Sequence, residues 1–241
     1  MTRLTLNADL GEGMANDADL MPMLDMANVA CGGHAGDQFS MRTTLQLAAK
    51  HGVAIGAHPS YPDREGFGRR SLQISALELQ QSLHQQMTSL QGIASELAAT
   101  IRYVKPHGAL YNDMMRDECL LQQVLDVVAQ CFPNSGFMLL ASERHLRHEE
   151  LCRQRGLTAI FEVFADRAYT PSGELVNRRQ EGAVLTGGAS IARVERLLKS
   201  GQIEANDGSA LSMPMHSLCV HGDNPAALAV VQRIRGMLPR A

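Results

Sequence analysis

Six stretches of the sequence place ionisable side chains directly after a short apolar run. "LNADLGEG" presents Asp9 and Glu12, "NVACGGHAGD" His34 and Asp37, and "AIGAHPSYPD" His58 and Asp63. "YVKPHG" presents Lys105 and His107, "EVFADRAY" Asp166 and Arg167, and "LCVHGDNP" His221 and Asp223. Brought together, carboxylates and imidazoles can move protons, while lysine and arginine can hold an anion. An aspartate with two histidines could also hold a divalent metal ion, and Asp9, His34 and His58 are the candidates for that. A lone histidine at a strand end is more often a hydrogen-bonded structural residue. Burying several histidines, aspartates and a lysine together without function would incur large desolvation costs.

The elements that must position these residues alternate in type. Strands are expected at Leu4–Ala8, Asn28–Cys31, Val53–Ala57, Ile101–Lys105, Phe137–Ala141, Ile160–Ala165 and Ser217–His221. Helical periodicity fills the gaps. Ser75 with Glu78 three residues later opens one helix with a capping-box pattern, and Leu83, Met87, Leu90, Ala94 and Leu97 then share a face. The last helix is expected to start at Asn224 as N-cap with Pro225 in its first turn, burying Ala227, Val231, Ile234 and Leu238. "IEANDGSALSM" predicts a small hairpin, and "GAVLTGG" is left open as an eighth strand.

Alternation without a break in composition predicts one parallel α/β domain over residues 1–241. An open sheet would concentrate its chemistry at a switch point. Polar residues at nearly every strand end favour a TIM-like (β/α) barrel of about seven strands, whose loops meet on one face.

Composition narrows the function. Of the 241 residues 45% are hydrophobic and 20% charged, and the net charge of −3 argues against nucleic acid as a partner. No apolar run approaches the ~20 residues needed to cross a bilayer. Five scattered cysteines without a C-x-x-C pair suggest a reducing compartment, so the chain is expected in the cytoplasm. Cys31 and Cys219 are expected as buried small hydrophobes, and His51, His84, His145 and His148 on solvated helix faces. The loop "SYPDREGFGRR", with Arg64, Arg69 and Arg70, could serve as a lid that meets an anion. No G-x-x-x-x-G-K-[ST] phosphate loop is present.

The motifs "NADLGEG", "ANVACGGHAGD", "IGAHPSYPD", "GFGRR", "VKPHGALYN", "EVFADRAY" and "CVHGDNP" together resemble the LamB/YcsF family, the A-type subunits of 5-oxoprolinase. They follow the family order across nearly the whole chain. The resemblance implies a barrel similar to glycoside hydrolase/deacetylase barrels. It also implies one component of an ATP-dependent enzyme that opens 5-oxo-L-proline to L-glutamate. Three positions depart from the usual family pattern: Gly33 where phenylalanine is usual, Gln38 where proline is, and Ser60 where glycine is. The segment between "DLGEG" and "ANVACG" is also shorter than usual.

On this resemblance ATP would be bound by partner subunits of the B and C type, and the barrel would add water to the activated lactam. Asp9 and His58 are candidates for base and acid. His34, His107 and His221 would orient water or stabilise an oxyanion, with Glu12 in the same group. Lys105 and Arg167 would bind phosphate or carboxylate, positioned by Asp166 and Asp223, with Arg69 and Arg70 as further substrate contacts. A divalent metal and a homo-oligomer are left open. The alternatives are a stand-alone metal-dependent amidohydrolase or deacetylase, and a non-catalytic substrate-binding subunit.

Overall fold

The computed structural model of the chain describes residues 4–221 and 225–239. Nine strands occur among them: β1 (Thr5–Leu10), β2 (Met26–Ala30), β3 (Ala54–His58), β4 (Ile101–Val104), β5 (Gly136–Leu140), β6 (Thr158–Phe164), β7 (Ile203–Glu204), β8 (Ala210–Leu211) and β9 (Ser217–Cys219). Seven of them close a barrel in the order β1-β2-β3-β4-β5-β6-β9, every pair parallel, with β9 between β6 and β1. All seven strands expected from sequence are present, with ends shifted by at most two residues. β7 and β8 form the small antiparallel hairpin, outside the barrel. "GAVLTGG" adds no barrel strand; Val184 makes only an isolated bridge to Arg167.

The helices are α1 (Asp17–Leu20), α2 (Gln38–His51), α3 (Ala76–Glu96), α4 (Gly108–Arg116), α5 (Glu118–Cys131), α6 (His145–Arg153), α7 (Gly188–Ser200) and α8 (Pro225–Met237). Two begin with reciprocal capping boxes, Asp37 with Ser40 on α2 and Ser75 with Glu78 on α3, each satisfying backbone N–H groups that a helix start leaves open. The proposed cap at Asn224 lies outside the described residues, but Val231, Ile234 and Leu238 of α8 are buried as expected. No helix among the described residues is long and apolar enough to cross a membrane.

Strand side chains alternate between lumen and helix layer. The outward set, including Leu6, Ala8, Leu10, Val29 and Val163, belongs to the large hydrophobic core. At the N-terminal end of the strands the lumen is plugged by a separate small cluster, Met26, Tyr103 and Met138, with Ala54 and Ile160 against it. Tyr103 fits because Gly56 of the adjacent strand has no side chain: a Cβ there would lie 2.3 Å from the Tyr103 ring. The β3–β4 register also slips at this point, Ile55 facing Ile101 and Gly56 facing Tyr103. Above the plug the lumen is polar, and the C-terminal strand ends converge over it.

Candidate active site

The polar lumen begins with a chain of neutral groups. Tyr103 donates to Asn28 Oδ1 at 2.6 Å; Asn28 Nδ2 donates to Asn7 Oδ1 and Asp9 Oδ1, both at 2.8 Å. Asn7 Nδ2 in turn donates to Ser217 Oγ at 2.8 Å. These bonds anchor Asp9, near the C-terminal end of β1, from below.

Above this tier, Lys105 Nζ lies 2.9 Å from both Asp9 Oδ1 and Glu162 Oε1. Tyr111 of α4 donates to the other oxygen of Glu162 at 2.9 Å. Burial opposes the charge on Lys105, but Asp9 and Glu162 overcome that and hold the ammonium well above its ordinary range. Burial likewise would raise the Asp9 carboxyl, yet His58, Lys105 and His221 outweigh it and keep Asp9 ionised far below 3.8. The tier is a buried carboxylate–ammonium–carboxylate triad.

The next tier divides in two. On the β6–β9 side His221 Nδ1 meets Asp166 Oδ2 at 2.7 Å, and its Nε2 lies 3.8 Å from Asp9 Oδ2. Burial would lower the His221 pKa, but Asp166 and Asp9 raise it to about 9, so the ring is an imidazolium at neutral pH. On the β1–β4 side stand Glu12, His34, His58 and His107. Glu12 Oε1 is 2.9 Å from His34 Nε2, 3.3 Å from His107 Nδ1 and 3.8 Å from His58 Nε2. The His34 and His107 rings stack with centroids 3.7 Å apart. Burial and the neighbouring His34 and His58 push His107 well below the usual imidazole value; burial does the same to His34 against the pull of Glu12.

The loop over residues 60–70 is docked onto this group. Phe67 packs edge-on against His34 and His107, at 5.4 and 5.6 Å between ring centroids. Its carbonyl accepts from His107 Nε2 at 3.0 Å, and the carbonyl of Gly68 accepts from Ala109 N at 2.8 Å. Gly68, at φ +63°, sits where a Cβ would come within 2.9 Å of His34 Cβ. Arg64 ties the loop to the carbonyls of Gly32 and Gly36, each at 2.9 Å. Asp9, Glu12, His58, Lys105, His107 and His221 line a cavity of about 740 Å³, with Arg69, Arg70, Arg116, Arg167, Arg178 and Arg179 around it. That volume is ordinary for a small-molecule site. Acid–base groups form the floor and guanidinium groups the walls, an arrangement suited to a small anionic substrate.

The LamB/YcsF family model matches residues 4–241. The chain belongs to that family. A Pseudomonas putida relative, named as an A-type subunit of 5-oxoprolinase, is 48% identical, over 98% of this chain and 94% of its own. An Agrobacterium fabrum relative with the same designation is 45% identical, over 98% and 93%. The crystal structure of the lactam utilization protein from Thermus thermophilus superposes with a TM-score of 0.85 at 33% identity, covering 97% of this chain and 95% of that one.

Within this LamB/YcsF barrel, Asp9, Glu12, His34, His58, Lys105, His107, Asp166 and His221 come together as their strand ends suggest. Asp223 lies outside the described residues. Arg167 reaches the cavity but commits its guanidinium to backbone carbonyls, Val176 O at 2.7 Å and Ala183 O at 3.4 Å. Arg70 is paired with Asp63, which makes that aspartate a brace within the loop rather than a site residue. Asp37 is exposed and caps α2. Of the candidate metal ligands, His34 and His58 have ligand atoms within 4.8 Å of those of Glu12 and His107, a group that could hold an ion, while Asp9 falls in a second such group with Cys219 and His221. His148 is buried at 2% exposure rather than on a solvated face.

Glu162, Asn7, Asn28, Tyr103 and Tyr111 escape the strand-end reading of the sequence. For all but Tyr111, which lies on α4, the signal is a polar residue inside a strand of a parallel sheet, where both faces should be apolar. Two of the departures from the family pattern meet at one contact. A Cβ on Gly33 would lie 2.3 Å from Gln86 Oε1 and 2.6 Å from Ser60 Oγ, while Gln86 accepts from Ser60 N at 3.0 Å and donates to Ser60 O at 2.9 Å. Gln86 and Ser60 fill the space that a larger residue at position 33 would need.

Proposed function

We propose that this barrel is the hydrolytic subunit of an ATP-dependent 5-oxoprolinase, opening 5-oxo-L-proline to L-glutamate after partner subunits of the B and C type have phosphorylated the lactam oxygen. The observation that supports it most is the pairing of a carboxylate held ionised, Asp9, with an imidazolium, His221, on the floor of an arginine-walled cavity. Full-length similarity to proteins named as 5-oxoprolinase subunits and to a lactam utilization protein gives the substrate class.

Water adds to the ring carbon of the phosphorylated lactam. Loss of phosphate from that adduct would only regenerate the lactam, so the carbon–nitrogen bond must break instead, and the departing nitrogen needs a proton. His221 is placed to give it, which moves the acid role from His58 to His221. The acyl phosphate left behind takes a second water to give glutamate and phosphate. Asp9 orients the attacking water and accepts its proton, with Lys105 and Glu162 fixing the carboxylate. The arginines of the wall other than Arg167 and Arg70, which are tied to backbone carbonyls and to Asp63, hold the phosphate and the substrate carboxylate. This work proceeds in the cytoplasm, in one barrel domain spanning residues 1–241.

The test is reconstitution. The purified chain alone should neither hydrolyse ATP nor consume 5-oxoproline, and the assembled complex should make glutamate. Asp9→Asn in the complex should lower glutamate formation by about 10²–10⁴ while leaving assembly intact, as expected for lost general-base help. Turnover by the isolated chain with ATP, or a wild-type rate in Asp9→Asn, would overturn the assignment.

A further inference from the structure

We propose that Glu12, His34, His58 and His107 form a site for one divalent transition-metal ion of the zinc type. Each contributes one ligand atom, and these four atoms all lie within 4.8 Å of one another. Three imidazoles and one carboxylate suit zinc, or a neighbouring first-row ion, rather than magnesium or calcium, which prefer all-oxygen sites.

The decisive feature is where the ring protons must be. His58 Nδ1 is 2.7 Å from the carbonyl of Lys105, and His107 Nε2 is 3.0 Å from the carbonyl of Phe67. A carbonyl can only accept, so both of those nitrogens carry hydrogen. The opposite nitrogens, His58 Nε2 and His107 Nδ1, then face each other 2.9 Å apart. With both rings neutral, two lone pairs are aimed at one another, and Glu12 Oε1 adds more electron density 3.3 Å from His107 Nδ1. Something positive must lie among them. A proton between these two nitrogens would answer that one contact and leave Glu12 Oε1 and His34 Nε2 out of it. A metal ion satisfies all the donors at once. Backbone carbonyls that fix the far nitrogen of each imidazole are the usual support of metal-bound histidines. The third ring, His34, has a buried Nδ1 that finds no partner among the described residues.

Glu12, His58 and His107 line the cavity, so the site opens toward substrate. The consequence for chemistry, which rests on the lactam reading, concerns Asp9. Asp9 Oδ2 lies 3.4 Å from His58 Nε2, beside the proposed site, and a carboxylate is a weak base toward ordinary water. A divalent cation beside it would raise the acidity of water at the cavity floor, and a weak base would then suffice.

Metal binding and lactam turnover can be read separately, so failure of either leaves the other standing. The full chain, stripped with chelator and dialysed, is titrated with Zn²⁺ by calorimetry and with Co²⁺ by visible absorption. One equivalent should bind, with ligand-field bands for Co²⁺. Glu12→Gln and His107→Ala should each weaken binding by on the order of 10²-fold or more, exceeding the effect of losing a supporting hydrogen bond. His221→Gln should stay within a few-fold of wild type, since His221 belongs to the other side of the floor. Thermal unfolding of each variant without metal verifies that it is folded; the conservative, partly exposed Glu12→Gln is the variant that decides if His107→Ala does not fold. Folded wild-type chain that takes up no stoichiometric metal, or binding that survives Glu12→Gln undiminished, would overturn the site.

Discussion

The two sides of the cavity floor are built on opposite electrostatic plans. On the β6–β9 side each charge has a counter-charge: Lys105 between Asp9 and Glu162, and His221 against Asp166. On the β1–β4 side one carboxylate is shared by three imidazoles, two of which, His58 and His107, turn their lone pairs toward each other. The first side is complete as folded. The second, on the metal site proposed above, is completed by a cation. Proximity of ionisable groups is therefore not one kind of site; the hydrogen-bond partners outside the cluster decide whether it stores protons or seeks a cation.

If that contrast is sound, breaking the paired side should cost folding energy and breaking the other should not. Lys105→Met leaves Asp9 and Glu162 as two buried carboxylates with no cation between them. We expect it to destabilise the chain by about 3–5 kcal/mol in urea unfolding, with part of the loss recovered in the Lys105→Met, Glu162→Gln double variant. His34→Gln, measured without metal, should cost no more than about 1 kcal/mol, since it removes no counter-charge. Equal losses for the two would erase the distinction.

The pH dependence of stability sharpens the same contrast. His221 has its pKa raised from 6.5 to about 9 in the folded chain, so the folded state binds its proton more tightly than the unfolded one. Its contribution is full below pH 6.5, declines as pH rises, and is gone above about 9. The slope between those limits is at most about 1.4 kcal/mol per pH unit. His221→Gln should flatten the alkaline limb of a plot of unfolding free energy against pH. An unchanged limb would mean that the Asp166–His221 pair does not hold the proton.

A smaller effect is expected where the unpaired side meets α3. Gly33→Ala pushes Gln86 off Ser60, breaking two hydrogen bonds beside His34. We expect about 1–2 kcal/mol of destabilisation, in line with one or two lost buried hydrogen bonds. Adding Gln86→Ala should relieve the clash without restoring the bonds. If Gly33→Ala alone is neutral in thermal melting, the packing behind His34 is loose, and with it the placement of that ring.

The barrel was legible because each strand run is short, apolar and closed by a turn-favouring residue, and because parallel strands bring such ends to one face. The same rule exposed Asp9, His34, His58, Lys105 and His221. It could not expose Glu162, which sits inside the run "IFEVF" and reaches the site only because its side chain points into the lumen. Nor could it separate Asp37 from Glu12: both are acidic residues in glycine-containing loops, but Asp37 is taken by the start of α2. His148 looked solvated because its neighbours on α6 are charged, yet its own position faces inward. Which histidines would share one carboxylate depended on loop geometry around Phe67 and Gly68, and that is set by contacts far apart in sequence.

The closing strand has an implication for the order in which the molecule can be made. β9 lies between β6 and β1, so Thr5 is registered against Ser217, and Asn7 bonds a serine 210 residues further on. Arg235 of α8 then joins Asp25, just before β2, at 2.7 Å. A chain emerging from the ribosome therefore holds six strands as an open, curved sheet, with the edges of β1 and β6 unpaired and Lys105 lacking the cover of Cys219. Such long-range closure slows folding. Until the last strand arrives, those two edges are vulnerable to pairing with other chains, and the wait for β9 is when a holding chaperone would matter most.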